Sequence, residues 1–403
     1  MKVTVVDSPC GTGKTEYAIQ YMNLNAHRTN FIYVTPFLDE VTRVRNSVCF
    51  DVYEPKEGSK SKDFLVLLEK GKSIVTTHAL FKTVSDDIIE LLEAQEYELI
   101  LDEVLEVLSS LNIRQGDLKA LVDRDHAFVF ADDGTVSLSE FGEEMYNKGT
   151  IHRNIFDLVK SGRVVRDEAG LLLWEFPVNI LCLFKKVTIM TYMFDNQTMC
   201  NYLLANGAEL EYYYLENYEL ISGRSSYSGV MYRDLVEIYE GKLNHIGDKD
   251  YSLSSSWFDK KENNKSKKIL MTTAFNYLYN IVNSRIEDTL WTIPNESYEK
   301  GLFIKSYKGA FLVMTARATN NYADRTVCAY MVNRFENPVL YNYFTRRGLS
   351  VSNDLFALSE LIQWLFRSAI RRNKPIKLYI PSKRMRTLLT AWLNGTVEEE
   401  CRK

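Results

Sequence analysis

The stretch Ser8-Pro9-Cys10-Gly11-Thr12-Gly13-Lys14-Thr15 carries the residue types that hold a phosphate chain. Gly11 and Gly13 let backbone N–H groups approach phosphate oxygens, Lys14 supplies a point charge, and the Thr15 hydroxyl suits a hard divalent cation. Candidate contacts to ATP are therefore Pro9, Cys10, Gly11, Thr12, Gly13, Lys14, Thr15 and Glu16, with Thr15 as a candidate Mg²⁺ ligand. A second centre, Asp102-Glu103, closes the run Leu99-Ile100-Leu101. In-line phosphoryl transfer needs a cation against the phosphates and a positioned water. Asp102 is the candidate for holding Mg²⁺, through water, and Glu103 for polarising the attacking water. A third set, Gln363, Arg367 and Arg371, is spaced i, i+4, i+8, which is one face of a helix. An amide and two guanidinium groups on one stripe suit γ-phosphate sensing and stabilisation of developing charge.

These residues need elements to position them. Val3-Thr4-Val5-Val6 is β-branched and apolar, a short buried strand, and Glu16–Met22 reads as a helix. A glycine loop between a strand and a helix is the context that makes the first motif a phosphate-binding loop. Phe31-Ile32-Tyr33-Val34 and Ser73-Ile74-Val75-Thr76 read as further strands, with helices after each. The residues that follow them, Thr35-Pro36 and Thr76-Thr77-His78, carry hydroxyls and amides suited to sugar-phosphate contacts. Strands alternating with helices predict a parallel α/β sheet with ligands beyond the strand C-terminal ends. Residues 105–185 are less regular and read as an insertion, after which Val187–Thr191 resumes the sheet. From residue 206 the pattern begins again. Glu209–Leu215, Phe311–Thr315, Val327–Asn333 and Ile376–Ile380 are strand-like, 269–273 is strand or helix, and 355–371 reads as one helix. Two domains are expected, 1–205 and 206–403.

Composition narrows the class. The chain has 403 residues, 46% hydrophobic and 25% charged, which is ordinary for a globular protein. No apolar run approaches the roughly 18–20 residues that cross a membrane, and Met1-Lys2 leads straight into the first strand, leaving no room for a signal peptide. Six scattered cysteines without a C-x-x-C pair argue against a zinc site or disulfide framework and fit a reducing cytoplasm. A net charge of −4 gives no global nucleic-acid footprint. The stretch Phe366–Leu389, however, carries Arg367, Arg371, Arg372, Lys374, Lys377, Lys383, Arg384 and Arg386 with no Asp or Glu, a candidate for phosphate contacts.

Taken in order, Ser8–Thr15, Thr35-Pro36, Thr76-Thr77-His78, Asp102-Glu103, Thr191, Thr315 and Gln363…Arg367 resemble the motif series of superfamily-2 (DEAD/DEAH-like) helicases over nearly the whole chain. Ser8 stands where the phosphate loop usually begins with glycine, a small-residue variant common in helicase-type loops. Asp102-Glu103-Val104-Leu105 departs from the DEAD or DEAH tetrapeptide, Phe366 replaces a usual glycine, and Arg371 falls one residue later than typical. The block Ala316–Tyr322 with 355–387 is similar to helicase-like proteins of phages and mobile elements in Gram-positive bacteria. The resemblance implies two tandem RecA-like P-loop domains, with an insertion in the first and Mg-ATP in the cleft between them. It implies movement along DNA, single-stranded or forked, or along RNA, with Arg317 and Thr319 among the nucleic-acid contacts. Thr191 would couple the nucleotide site to that grip, and Tyr322 and Trp364 are candidates for base stacking. A monomer is expected, with a replication or defence protein as a further candidate partner. Two other classes stay open: an ATP-dependent switch or loader that does not unwind, and a P-loop phosphotransferase of another kind.

Overall fold

The computed structural model describes residues 1–398 apart from 57, 59, 84, 112, 133 and 316–320. Its organising element is an eight-stranded sheet. Across that sheet the strands run Glu219–Ser222, Glu209–Glu216, Lys2–Asp7, Lys186–Thr191, Tyr97–Asp102, Asn30–Thr35, Ser73–Thr77 and Val52–Tyr53. All pairs are parallel except the terminal hairpin of 209–216 with 219–222. Both faces are covered, so the central strands are buried on both sides, as their largely apolar runs require. Asp7 lies opposite Thr191, Met190 opposite Asp102, and Thr35 opposite Thr77. The register thus brings every first-half motif to one C-terminal edge.

The second sheet is smaller and fully parallel, in the order Val236–Ile238, Ile376–Tyr379, Val327–Tyr330, Thr289–Thr292. Helices Asn353–Leu365 and Lys383–Asn394 cover one face, and Asn264–Phe275 packs on the other. The fold class is the expected one, two tandem α/β lobes with an insertion in the first. That insertion has its own small core around Phe128, Phe156, Val159 and Val164. It is built from a three-stranded antiparallel sheet, Leu108–Ser110 with Leu172–Glu175 and Val164–Arg166, and a hairpin of Phe128–Phe130 with Val136–Leu138.

Several expectations are corrected. Strand Glu209–Glu216 does not open the second lobe. It pairs with Lys2–Val6, and its hairpin extends the first sheet to Ser222, beyond the expected boundary at 205. Residues 269–273 are helical, within Asn264–Phe275. Phe311–Thr315 forms no strand, only one bridge from Phe311 to Trp291. The helix expected over 355–371 ends at Leu365, and a separate 3₁₀ turn covers Ala369–Arg372 because Ser368 is extended (φ −85°, ψ −172°).

Two contacts join the lobes. Helix Pro338–Arg346 leaves the second lobe and buries Leu340, Tyr343 and Phe344 in the core of the first. At the cleft, Tyr192 and Met193 of the first lobe join the second lobe's core, and Trp392 Nε1 donates to the Tyr192 hydroxyl at 3.1 Å.

Candidate functional site

The phosphate loop sits between strand Lys2–Asp7 and helix Lys14–Asn25. Gly11 and Gly13 have φ of 85° and 86°, left-handed conformations that a β-carbon would strain, and Gly13 caps the helix. Lys14 Nζ donates to the Ser8 and Pro9 carbonyls at 2.6 and 3.0 Å, and the Thr12 hydroxyl to Pro9 O at 2.9 Å. Pro9 and Thr12 therefore shape the loop. Ser8, in the glycine's usual place, is fully buried, and its hydroxyl accepts the Leu215 N–H at 2.7 Å. A side chain at this position ties the loop to the neighbouring strand.

The acidic centre is built by a kink. Glu103 has φ 67°, rare for a residue with a long side chain, and its N–H still donates to Met190 O at 2.9 Å. The kink ends the strand and turns Glu103 into the cleft beside Asp102. Thr191 Oγ1 donates to Glu103 Oε2 at 3.0 Å, and Gln197 Nε2 donates to Thr191 Oγ1 at 3.2 Å. His78 Nε2 lies 3.1 Å from the Asp102 carbonyl. Burial, reinforced by the charge of Glu103, pushes the Asp102 carboxyl up to about 6.

A cavity of about 240 Å³ joins these groups to the second lobe. Gly11, Gly13, Lys14, Thr15, Asp102 and Glu103 line it from one side, Arg367 and Arg371 from the other. Arg367 is 4% exposed, and its Nε has no hydrogen-bond partner among the described residues. Burial, and then the neighbouring Arg367, push the Arg371 guanidinium below its ordinary range. Two close cations, one with an orphaned donor, are the surroundings an oligophosphate would satisfy. Cys10 also faces the cavity, where burial pushes its thiol up.

The fit to Mg²⁺ follows from the donor set. Thr15 offers a hydroxyl and Asp102 a buried carboxylate beside a second one, where a divalent cation would relieve the repulsion. Among the described residues no three or more His, Cys, Asp or Glu converge as a metal site.

The other expected contacts separate. Gln363 is buried and does not line the cavity, and neither amide atom has a partner among the described residues. Thr35 and Thr76 are buried strand residues, 0% and 2% exposed, and so cannot present hydroxyls to a nucleic acid. Thr77 caps the turn His78–Phe81, accepting the Leu80 N–H at 3.4 Å. Pro36 and His78 line a second interlobe cavity of about 510 Å³ with Lys82, Arg334 and Thr315, but Glu106, Glu336 and Glu360 line it too. Trp364 is fully buried, which removes it from base stacking. Within the basic stretch, Arg384 pairs with Asp354 and Asn333, and Arg386 with the Ile380 and Pro381 carbonyls. Arg317 and Thr319 lie outside the described residues.

Some site residues escaped the sequence reading. Arg43 lines the same cavity, bonded at 2.8 Å to both Glu40 and Glu16, and Asp7, outside its lining, accepts the Met193 and Phe194 N–H groups at 2.7 and 3.0 Å. The i, i+3 pair Glu40–Arg43 on the helix after Thr35-Pro36 was the available signal.

The comparisons agree with this architecture. Two solved structures, XPD_APO and XPD_Helicase, share the fold with TM-scores of 0.53 and 0.50. They are 14% and 12% identical, each alignment covering 98% of this chain and 95% of the other. The chain thus has the two-lobed RecA-like fold of superfamily-2 helicases. A family model, the YonV C-terminal Rossmann-like domain, matches residues 230–393. The SPbeta prophage-derived uncharacterized protein YonV of Bacillus subtilis (strain 168) is 38% identical over 413 residues, spanning 98% of this chain and 99% of the relative. The chain belongs to the YonV family. Among the described residues no helix is long and apolar enough to cross a membrane.

Proposed function

We propose that this protein is an ATP hydrolase that couples turnover between its lobes to movement along nucleic acid, a DNA helicase or translocase. The observation that carries the reading is the convergence of Lys14, Asp102 and Glu103 from one lobe with Arg367 and Arg371 from the other on one cavity. Lys14, now donating to loop carbonyls, would exchange them for β- and γ-phosphate oxygens. Glu103, oriented by Thr191, would accept the proton of the attacking water. Arg367 and Arg371 would stabilise the charge that develops on the transferred group. Held by Thr15 and Asp102, Mg²⁺ would supply charge neutralisation between the phosphates. The arginines belong to the second lobe, so opening of the cleft would separate them from Lys14 and gate hydrolysis. The prophage origin of the relative supports a phage-encoded role.

A second reading, an ATP-dependent switch or loader that does not unwind, draws on a specific observation. Thr35 and Thr76 are buried, Arg384 and Arg386 serve the fold, and three glutamates line the neighbouring cleft, all of which weaken a phosphate track.

Phosphate release from ATP by purified variants tests the site. Lys14→Ala is expected to abolish release. Arg367→Ala is expected to keep nucleotide binding and lower kcat by about 10³-fold, the effect of losing a charge that acts in the transition state. Unchanged turnover in Lys14→Ala would refute the assignment of the loop.

A further inference from the structure

The cavity at the phosphate loop accounts for only part of a nucleotide. Its volume of about 240 Å³ accommodates phosphates, yet sites that enclose whole small molecules run to roughly 300–1,000 Å³. On the nucleotide reading, the base then lies outside this cavity. Tyr218 lies against Gly13, which lines the cavity.

Tyr218 is the second residue of the turn Asn217-Tyr218, which joins strands Glu209–Glu216 and Glu219–Ser222, and both turn residues have positive φ, 49° and 65°. Two-residue hairpin turns of this kind favour Asn-Gly. A tyrosine in the left-handed region carries strain that glycine avoids, and the strand pairing makes no use of its ring. The residue is 57% exposed, yet its Cε1 lies 2.6 Å from where a β-carbon on Gly13 would be. The ring edge therefore rests on the bare backbone of Gly13, one residue before Lys14. The sheet fixes it there: Glu209–Tyr213 pair with Lys2–Val6, and the Leu215 N–H is bonded to the Ser8 hydroxyl.

We propose that Tyr218 is the base-stacking residue of the nucleotide site, presenting its exposed face to the purine of ATP while its Cδ1–Cε1 edge lies against Gly13. The assignment rests on the nucleotide reading above and adds the part of the ligand which that reading leaves unplaced. Aromatic stacking on a base needs only a π face, and the strain at residue 218 is what a turn accepts in order to keep one there.

The test compares ATP with inorganic tripolyphosphate, which has the phosphates and no base. Tyr218→Ala is expected to raise KM for ATP roughly 10-fold and leave KM for tripolyphosphate unchanged, and Tyr218→Phe to restore the ATP value. Tyr218→Gly separates ring from turn: it should melt at the same or a higher temperature than the parent, because glycine relieves the positive φ, while showing the same rise in KM for ATP. An unchanged KM for ATP in Tyr218→Ala would overturn the stacking role and leave the nucleotide reading intact. Equal rises for ATP and tripolyphosphate would also overturn it, making Tyr218 a support for the loop. If the parent protein hydrolysed neither compound, the nucleotide reading itself would fall, and this assignment with it.

Discussion

Asp102 shows how a single residue of the proposed site is held at the expense of stability. Its carboxyl is held near 6 against an ordinary 3.8, because burial and Glu103 both oppose its charge. Below the unfolded-state value both states are protonated and nothing is lost. As pH rises from that value to about 6 the unfolded carboxyl ionises while the folded one stays protonated, so the cost builds up across this window and levels off above it, on the order of 3 kcal/mol at neutral pH. Asp102→Asn should therefore melt at a higher temperature than the parent at pH 7.5, with the difference fading as pH falls towards 4, while hydrolysis is lost. Thermal melts of both proteins across that range, without nucleotide, check the expectation; equal melting temperatures at pH 7.5 would contradict it. Glycines, lysine and threonine of the phosphate loop were legible in the sequence because their requirement is local: positive φ, a short reach, a helix start. Thr35 and Thr76 misled for an equally physical reason. In a parallel sheet covered on both faces, a terminal threonine is as buried as its neighbours, and type and position do not reveal it.

Among the elements, strand Glu209–Glu216 is the one whose place could not be read. Its aromatic run Tyr212-Tyr213-Tyr214 gives its type, but sheet neighbours are chosen by long-range pairing, and position in the chain suggested the second lobe. Its attachment explains the residue at position 8. The Ser8 hydroxyl accepts the Leu215 N–H, its N–H donates to Thr191 O, and its carbonyl takes Lys14 Nζ. Ser8→Ala leaves a buried N–H unsatisfied and should lower stability by about 1–3 kcal/mol in urea unfolding. A loss under about 0.3 kcal/mol would mean that the bond contributes little. The arginine segment was legible in part. Spacing pointed to Arg367 and Arg371 together, and they do converge, but through a helix end at Leu365 and a 3₁₀ turn. Gln363, on the helix proper, stays behind in the core.

At the scale of the whole molecule, both lobes contribute to one site, and each is anchored in the other. Helix Pro338–Arg346 carries second-lobe residues into the first lobe's core, while Tyr192 and Met193 make the reverse contact beside the phosphate loop. On the proposed reading, such contacts would let a change at the nucleotide be felt across the cleft and so couple hydrolysis to a track. The measurement that tests this most directly is steady-state phosphate release from ATP at fixed low salt, alone and with single-stranded DNA, duplex DNA or RNA. A several-fold rise with DNA, absent in Lys14→Ala, is the result the account predicts. A rate unchanged by every polymer would contradict the motor and leave the switch.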